Sequence, residues 1–221
     1  MFPPVEFADA QGLLCYGADY SLDTLLQAYA SGIFPWPVDE FPEPLWFAPP
    51  RRALLELKDF HISHSLRQLR RRHPWTIRFD HDFEAVVRAC AQPRPDPQGG
   101  EPGTWIMPEL IEGFIALHHA GHAHSVEVYE ATPQGPELVG GLYGVALGAY
   151  FGGESMFHRR SGASKIAVCA LAEHLREREV GWIDCQTLTP LFASFGARLV
   201  SRRTFMKRLK AALQQDAPPF E

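Results

Sequence analysis

Apolar and polar positions follow two periods along the chain, and the second half shows both clearly. Alternating or continuous apolar runs over 125–129, 138–146 and 149–157 predict three consecutive strands. Apolar positions with helical spacing from Gly162 to Arg178 predict a helix, and the run from Gly181 to Gln186 predicts another strand. A short helix, a strand and a final helix complete the predicted order.

The first half has longer irregular stretches between its predicted elements. Capping serines at Ser21 and Ser63 predict the starts of two helices, and Pro108 suits the first turn of a third. A strand is predicted over 53–57. Four prolines and three glycines over 92–103 predict a loop or linker.

The element order predicts an α/β fold, in which a mixed sheet carries helices on its faces. This order resembles that of the acetyltransferase-type (GNAT-like) fold. Element order alone does not fix a function, so the side chains must be considered separately.

Bulk properties narrow the class of protein. The chain has 221 residues, 46% of them apolar and 21% charged, which is ordinary for a globular protein with a real core. A net charge of −5 argues against a generally basic nucleic-acid binder. Four cysteines without a CxxC pair favour reduced thiols. No signal peptide or membrane-spanning run is evident, so we expect a cytoplasmic protein with no membrane segment.

Two short strands carry the residues that are most informative about chemistry. Side chains alternate between the faces of a strand, so Glu154 and Met156 should point the same way, as should Asp184 and Gln186. If the strands are neighbours, two carboxylates, an amide and an apolar side chain meet in one pocket. Such a pocket can hold an amino acid, because an anion binds the ammonium group and an apolar slot takes the side chain.

Asp184 and Gln186 suggest a relay that acts on an attacking amine. An amide can accept a hydrogen bond from an amine, and a neighbouring carboxylate can orient that amide. The alternative is that Asp184 caps the following segment while Gln186 satisfies loop backbone. Alternation turns Cys185 to the opposite face, which favours a core cysteine over a nucleophile.

Glu154 lies in an otherwise uncharged stretch, where a carboxylate needs a partner or water. The alternative to a site role is a structural ion pair with a nearby cation, namely Arg159, Arg160 or Lys165. The same basic stretch, over 159–164, nearly fits the R-x-x-G-x-G/A loop with which acetyltransferases hold acyl-CoA.

Two features could contact a nucleic acid. Trp36 and Trp105 lie in loops bounded by glycine or proline, where an aromatic face can stack on a base, although such residues more often plug the space under a loop. Basic residues also cluster, and each cluster is either part of a phosphate-binding face or a solvated face. The clusters are Arg51 and Arg52; Arg67, Arg70, Arg71 and Arg72; Arg159 and Arg160; and Arg202, Arg203, Lys207, Arg208 and Lys210.

Four histidines lie close together, at positions 118, 119, 122 and 124. Gly121 breaks the predicted helix between them, and no cysteine is nearby. Histidines near a helix C-terminus are favoured by the helix dipole. We therefore expect no metal site.

Nine blocks of sequence occur in an order that matches a known family. They are GIFPW (32–36), LWFAP (45–49) with RAL (52–54), HIS (61–63), GTWI (103–106), GHAHS (121–125), LVGGLYGV (138–145), GESMF (153–157), ASK (163–165) and IDCQ (183–186). Over nearly its whole length the chain resembles the leucyl/phenylalanyl-tRNA–protein transferase family.

The resemblance implies a cytoplasmic aminoacyltransferase of N-degron proteolysis. It would move Leu or Phe, and Met less well, from Leu-tRNA or Phe-tRNA to proteins that begin with Arg or Lys. It implies a small N-terminal α+β domain over residues 1–50 and a GNAT-like catalytic domain over 51–221. It implies no metal, no CoA and no other cofactor.

The family's residue roles carry over to this sequence position by position. Asp184 and Gln186 would be the relay, and Glu154 would help to hold an ammonium group. Trp36 and Trp105 would pack on the terminal adenosine. The side-chain pocket would be lined by Leu142, Phe151, Met156, Val168 and Leu171. We assign tRNA contact to the arginine-rich helix, with Arg67, Arg70, Arg71 and Arg72.

The residues themselves leave two rival hypotheses open. One is an acyl-CoA-dependent N-acyltransferase, which the near-match at 159–164 favours and which gives the two tryptophan loops no role. The other is a non-catalytic RNA-binding module, which the arginine clusters support and which leaves Glu154, Asp184 and Gln186 without a task.

Overall fold

Two β-sheets of unequal size organise the chain, for which a computed structural model describes residues 1–36, 43–93, 103–216 and 220. The smaller sheet is antiparallel in the order β1-β3-β2, with β1 (Leu13–Tyr16), β2 (Phe34–Pro35) and β3 (Leu45–Phe47). Helix α1 (Leu22–Ala30) connects β1 to β2. Strands of two to four residues carry too little periodicity to be read from sequence, and none of these three was predicted.

The larger sheet has seven strands in the order β10-β4-β9-β8-β7-β6-β5. It is mixed, because β8 and β9 run parallel while the other neighbours are antiparallel. In chain order the strands are β4 (Arg51–Glu56), β5 (Thr76–Phe79), β6 (Ala123–Thr132), β7 (Gly135–Leu147), β8 (Tyr150–His158), β9 (Trp182–Asp184) and β10 (Arg198–Ser201). The predicted α/β fold with a mixed sheet is confirmed.

Six further helices pack around this sheet or join its strands. They are α2 (His64–Arg72), α3 (Phe83–Cys90), α4 (Pro108–His119), α5 (Ala163–Glu177), α6 (Pro190–Ser194) and α7 (Arg202–Ala212). The predicted start of α2 is correct, since Ser63 Oγ accepts a hydrogen bond from the Leu66 N–H at 3.3 Å. Most of the proline-rich loop predicted over 92–103 lies outside the described residues.

Close packing brings α5 onto the strands that carry the site. Gly140 of β7 makes this possible, because a Cβ there would lie 2.5 Å from the Cβ of Ala163 at the start of the helix. Strands β8 and β9 are adjacent and pair Gly152 with Asp184, so the two informative strands are indeed neighbours.

Within the described part of the chain, no helix is both long and apolar enough to cross a membrane.

Candidate active site

A cavity of about 240 Å³ opens between β8, the end of β9, α5 and the tryptophan loops. Most of its lining is apolar, and a few polar groups enter it from one side. The lining residues are Pro35, Trp36, Trp105, Leu142, Tyr143, Gly153, Glu154, Ser155, Met156, Val168, Leu171, Ile183, Cys185, Gln186, Thr187, Thr189 and Phe192.

Four of the five residues expected to hold an amino-acid side chain line this cavity. Leu142 of β7 and Met156 of β8 are cross-strand partners, while Val168 and Leu171 face them from α5. We call these four residues the apolar slot. They come from two strands and one helix of the packed core, so the shape of the slot is set by the core.

Phe151 differs from the expectation and does not line the cavity. It is on the same sheet face as Met156, because both pair with residues of β7 that share a face. It lies farther along the sheet, however, where its ring covers Gly144 and stacks on Phe220 with ring centroids 5.8 Å apart. Phe151 is a core residue beside the site.

Glu154 enters the cavity from a β-bulge. Tyr143 pairs with Ser155 and Gly144 pairs with Gly153, which leaves Glu154 as the extra residue of β8. Bulges of this kind re-aim a side chain next to an active site. Its Oε1 accepts a hydrogen bond from Gln186 Nε2 at 2.7 Å.

The environment of Glu154 favours its protonated form. Burial raises the pKa of the Glu154 carboxyl to about 8, against hydrogen bonding from Tyr29 and Gln186 that lowers it. Among the described residues, Glu154 Oε2 and the Tyr29 hydroxyl are buried without an aligned hydrogen bond, yet they lie close enough to interact. The negative charge of Asp184 also raises the pKa of Glu154.

Among the described residues, Glu154 forms no salt bridge, so the alternative ion pair with Arg159, Arg160 or Lys165 is not present. Arg159 Nη1 donates to the Leu138 carbonyl at 2.8 Å, and Arg160 Nε donates to Glu130 at 2.8 Å.

The loop over 159–164 is absent from the cavity lining. The near-match to an acyl-CoA loop therefore contributes no side chain to the lining of the candidate site.

Asp184 lies behind the cavity, where its side chain is fully buried. Its carboxylate accepts from Arg52 Nε at 2.9 Å, Arg52 Nη2 at 2.7 Å, the Tyr150 hydroxyl at 2.9 Å and the Gln186 backbone N–H at 2.8 Å. The expected relay therefore differs from the structure in one respect: Asp184 binds the backbone of Gln186, and the amide of Gln186 is bound by Glu154. The capping role considered as an alternative is present in the same geometry.

Alternation of side chains holds through Cys185, so Ile183 and Cys185 line the cavity while Asp184, the last residue of β9, lies behind it. Gln186 has a φ of 56°, in the left-handed region, so the chain turns there and Gln186 lines the cavity as well. The expectation that Cys185 faces away from the site is wrong. Burial raises the pKa of the Cys185 thiol well above its ordinary range, so it stays protonated at neutral pH.

The two tryptophans come together at the exposed rim of the cavity. The rings of Trp36 and Trp105 have centroids 6.4 Å apart and an interplanar angle of 38°. Trp36 packs against Phe34 and Phe47 and keeps 38% of its surface exposed. Neither ring is sealed under its loop, and both offer a face to the cavity.

The basic clusters fare differently from one another. Arg52 is only 1% exposed, so its expected place on a basic surface is wrong. Arg70 of α2 is half-buried and pairs with Glu173 of α5 at 2.5 Å. The other members of the α2 cluster are exposed, namely Arg67, Arg71 and Arg72.

The histidine cluster is built around an acid. His124 Nδ1 lies 2.6 Å from Asp80 Oδ2, and His118 stacks on Phe83. In the part of the chain that the structure describes, no group of three or more metal-ligating side chains is assembled.

Three residues behind the cavity were missed by sequence reasoning: Arg52, Tyr29 and Tyr150. Both tyrosines are apolar-looking positions of their elements, and nothing local indicates that a hydroxyl meets a carboxylate. Arg52 did carry a signal, because it directly precedes the buried apolar run over 53–55, where a charge needs a partner.

Two family profiles match most of the chain, and curated relatives match it over nearly its whole length. The family profile described as leucyl/phenylalanyl-tRNA protein transferase matches residues 54–210, and the profile of that family's N-terminal domain matches residues 18–50. A leucyl/phenylalanyl-tRNA–protein transferase of Pseudomonas fluorescens is 47% identical over 216 residues, covering 97% of this chain and 92% of the relative. One from Solidesulfovibrio magneticus is 45% identical over 216 residues, covering 98% and 84%.

Among solved structures, FemX resembles the chain with a TM-score of 0.51 at 9% sequence identity. The alignment covers 81% of this chain and 66% of that one, and it shows the fold alone, which is the expected GNAT-like arrangement. The profile matches and the identity to full-length relatives decide the family. The chain belongs to the leucyl/phenylalanyl-tRNA–protein transferases.

Proposed function

We propose that the chain catalyses the reaction named by its family, moving Leu or Phe from aminoacyl-tRNA to the N-terminal Arg or Lys of acceptor proteins and so marking them for N-degron proteolysis. One observation carries the proposal: the apolar slot lies beside the Glu154–Gln186 pair and beneath two partly exposed tryptophans. A slot, a polar pair and an aromatic rim are what an aminoacyl-adenosine end requires.

The donor is held at two points. Its side chain enters the apolar slot, and the terminal adenosine packs on Trp36 and Trp105. Base–aromatic stacking contributes about 1–3 kcal/mol per base. Between these points the ester carbonyl lies near Gln186.

The acceptor amine attacks the ester carbonyl directly. A C–N bond forms, the C–O bond to the ribose breaks, and the ribose oxygen leaves with a proton. Nε2 of Gln186 donates its hydrogen bond to Glu154. The carbonyl oxygen Oε1 of the same amide therefore accepts an N–H of the attacking amine. An amide is too weak a base to take the proton, so Glu154 receives it as a carboxylate and then gives it to the departing ribose oxygen.

We also infer a cytoplasmic location and a division into two domains, as the family resemblance implies. All four cysteines are free thiols, which supports a reducing compartment and hence the cytoplasm. The small sheet lies within residues 13–47 and the large sheet begins at Arg51, which supports domains over 1–50 and 51–221.

The test of the function is also a test of donor selectivity. Phe and Leu are expected to be transferred from charged tRNA to a peptide that begins with Lys, Met less well, and Ile or Val at least tenfold less. The reason is that β-branched side chains fit the slot badly, and one misplaced methylene in an apolar pocket changes the rate about 10–200-fold. The measurement is competitive transfer of radiolabelled amino acids.

Two controls belong to this assay. The same peptide with an acetylated N-terminus should receive nothing, because the attacking amine is blocked. Leu142→Ala should lower the preference for Leu over Ile, since it opens the slot. Equal use of Ile and Leu by the unaltered protein would contradict the slot, and no transfer of any amino acid would contradict the function.

The exposed arginines of α2 are expected to bind tRNA through its phosphates. Changing Arg67, Arg71 and Arg72 to Glu should raise the KM for Phe-tRNA at least tenfold and weaken its salt dependence, because each phosphate contact releases counterions. The KM for the minimal donor phenylalanyl-adenosine should not change. Arg70 is left intact, since its pair with Glu173 joins two helices.

Arg88→Glu is the matched control, because Arg88 is an exposed arginine of α3 that pairs with Glu84 and Glu112. It should leave the KM for both donors unchanged. Equal losses with both donors in the α2 variant would assign the cluster to folding and not to tRNA.

A further inference from the structure

Arg52 is a buried arginine that lines no part of the cavity but contacts residues on both sides of it. It lies on β4, 1% exposed, next to the exposed Arg51. Its guanidinium meets a carboxylate, a backbone carbonyl and two aromatic rings. Any influence on the reaction must therefore pass through these neighbours.

Toward β9, Arg52 holds the carboxylate that holds Gln186. Its Nε and Nη2 bind Asp184 in a bidentate manner, at 2.9 and 2.7 Å. Asp184 Oδ1 in turn accepts the backbone N–H of Gln186 at 2.8 Å. Gln186 has a φ of 56°, which a non-glycine residue keeps only when its surroundings impose it.

Toward the small sheet, Arg52 holds the loop that carries Trp36. Nη1 donates to the Gly32 carbonyl at 3.3 Å, and the guanidinium carbon lies 4.4 Å from the centroid of the Phe34 ring. Phe34 comes two residues before Trp36, and their rings are 6.1 Å apart. The centroid of the Phe205 ring lies 4.6 Å from the same guanidinium carbon.

We propose that Arg52 is a positioning residue that fixes Gln186 and the Trp36 loop relative to each other, so that the acceptor amine and the donor ester meet in register. The inference rests on the proposed function and deepens it, since it names the side chain that joins the donor-binding side of the site to the acceptor side.

Stability alone is a poor reason for this arrangement. A buried ion pair gains little over well-packed apolar side chains of similar volume, because both charges lose their hydration. Lysine could not take the place of Arg52, since one ammonium cannot bind a carboxylate in a fork, reach a carbonyl and contact two aromatic rings at once. The contacts make sense as a device that fixes geometry.

Main-chain bonds allow the role of the side chain to be isolated. Ala53 N–H donates to the Gln186 carbonyl at 3.1 Å, and Cys185 N–H donates to the Ala53 carbonyl at 2.9 Å. Strand β4 therefore stays beside the turn when Arg52 is replaced, and variants are expected to fold.

The experiment compares Arg52→Met, Arg52→Lys, Asp184→Asn and the double variant Arg52→Met/Asp184→Leu. Steady-state transfer of Phe from phenylalanyl-adenosine to a Lys-initiated peptide gives kcat and the donor KM, and circular dichroism gives the melting temperature. Arg52→Met should lower kcat at least tenfold and raise the donor KM at least fivefold. Asp184→Asn should lower kcat with little change in donor KM, because the Gly32 and Phe34 contacts persist.

The double variant separates positioning from stability. It should melt near the wild-type temperature and still show both kinetic defects, and Arg52→Lys should recover part of kcat but not the donor KM. Arg208→Met is the matched control: Arg208 also pairs with a carboxylate, Glu56, and lies over a ring, Trp182, on the same sheet. Its kinetics should match the wild type.

Each other outcome overturns the proposal. A folded double variant with wild-type kcat and KM would show that the pair only stabilises. A loss of kcat without a change in donor KM in Arg52→Met would break the link to the Trp36 loop. Failure of every Arg52 variant to fold would assign the pair to folding. An inactive wild-type protein would instead refute the proposed function.

Discussion

Gln186→Ala is expected to lower the rate of Phe transfer by at least tenfold while the protein stays folded. The amide enters the cavity from the turn after β9, and its orientation is fixed by the 2.7 Å bond to Glu154. Removing it takes away the acceptor for the attacking amine and leaves Glu154 without its partner. Misplacing a reacting group by about 1 Å costs about 10²-fold in rate.

Backbone strain does not confuse this experiment. Alanine meets the same left-handed backbone conformation as glutamine, so the change acts mainly on the amide. The measurement is transfer of radiolabelled Phe from Phe-tRNA to a Lys-initiated peptide, with circular dichroism to check folding. Wild-type kinetics in a folded Gln186→Ala protein would remove Gln186 from the mechanism.

Cys185→Ser is the neighbouring control and should keep most of the activity. Cys185 also lines the cavity, but burial raises the pKa of its thiol well above the ordinary range, so it offers no thiolate nucleophile. A folded but inactive Cys185→Ser protein, or an acyl-enzyme trapped when the peptide is withheld, would replace direct aminolysis with a thioester route.

Local patterns predicted the frame of the molecule and part of its site. Caps and apolar spacing located the long helices, and the element order gave the mixed sheet, because these features depend on a few neighbouring residues. Adjacency of the strands around residues 154 and 184 was a hypothesis of topology, and the structure bears it out. Glu154 and Met156 both line the cavity as expected, although Glu154 is directed there by a β-bulge that no local sequence pattern reveals.

The errors have physical reasons that a sequence pattern does not contain. The expectation that Asp184 shares a face with Gln186, and that Cys185 faces away, assumed extended backbone through Gln186, which is left-handed. Arg52 seemed a surface residue because its partner, Asp184, lies 132 positions away. The family resemblance implies that Phe151 lines the slot; it is on the expected face of the sheet but lies too far along the strand.

Glu154→Gln is expected to change how the rate depends on pH. Burial raises the pKa of the Glu154 carboxyl from an ordinary value of 4.5 to about 8, so below that pH most molecules carry a protonated Glu154 that cannot accept a proton. The acceptor α-amine, with a pKa of about 7.7–8.0, must also be deprotonated to attack. In the wild type both the Glu154 carboxyl and the α-amine must lose a proton. Below pH 7, log(kcat/KM) plotted against pH should therefore rise with a slope of ~2 in the wild type and ~1 in Glu154→Gln.

The plateau at pH 9 should fall by about 10²-fold in Glu154→Gln, because the proton acceptor is gone. Tyr29→Phe is a control that should change the pH at which the rate rises and not the height of the plateau. The Tyr29 hydroxyl lowers the pKa of Glu154, so its loss should move the rise of the wild-type profile to higher pH and leave the plateau in place. Identical slopes in wild type and Glu154→Gln would exclude Glu154 as the base.

Stability gives a second, independent readout of the same carboxyl. The folded protein binds the Glu154 proton more tightly than the unfolded chain does, since the pKa is about 8 when folded and near 4.5 otherwise. This contribution to the free energy of unfolding is therefore complete below pH 4.5, declines as the pH rises toward 8, and is lost above it. Between pH 5 and 9 the melting temperature should fall more steeply with rising pH for the wild type than for Glu154→Gln, because the neutral amide of the variant does not titrate. If the melting temperature depends on pH in the same way in both proteins, Glu154 ionises normally in the folded protein. The base would then have to be sought in the substrate or in solvent.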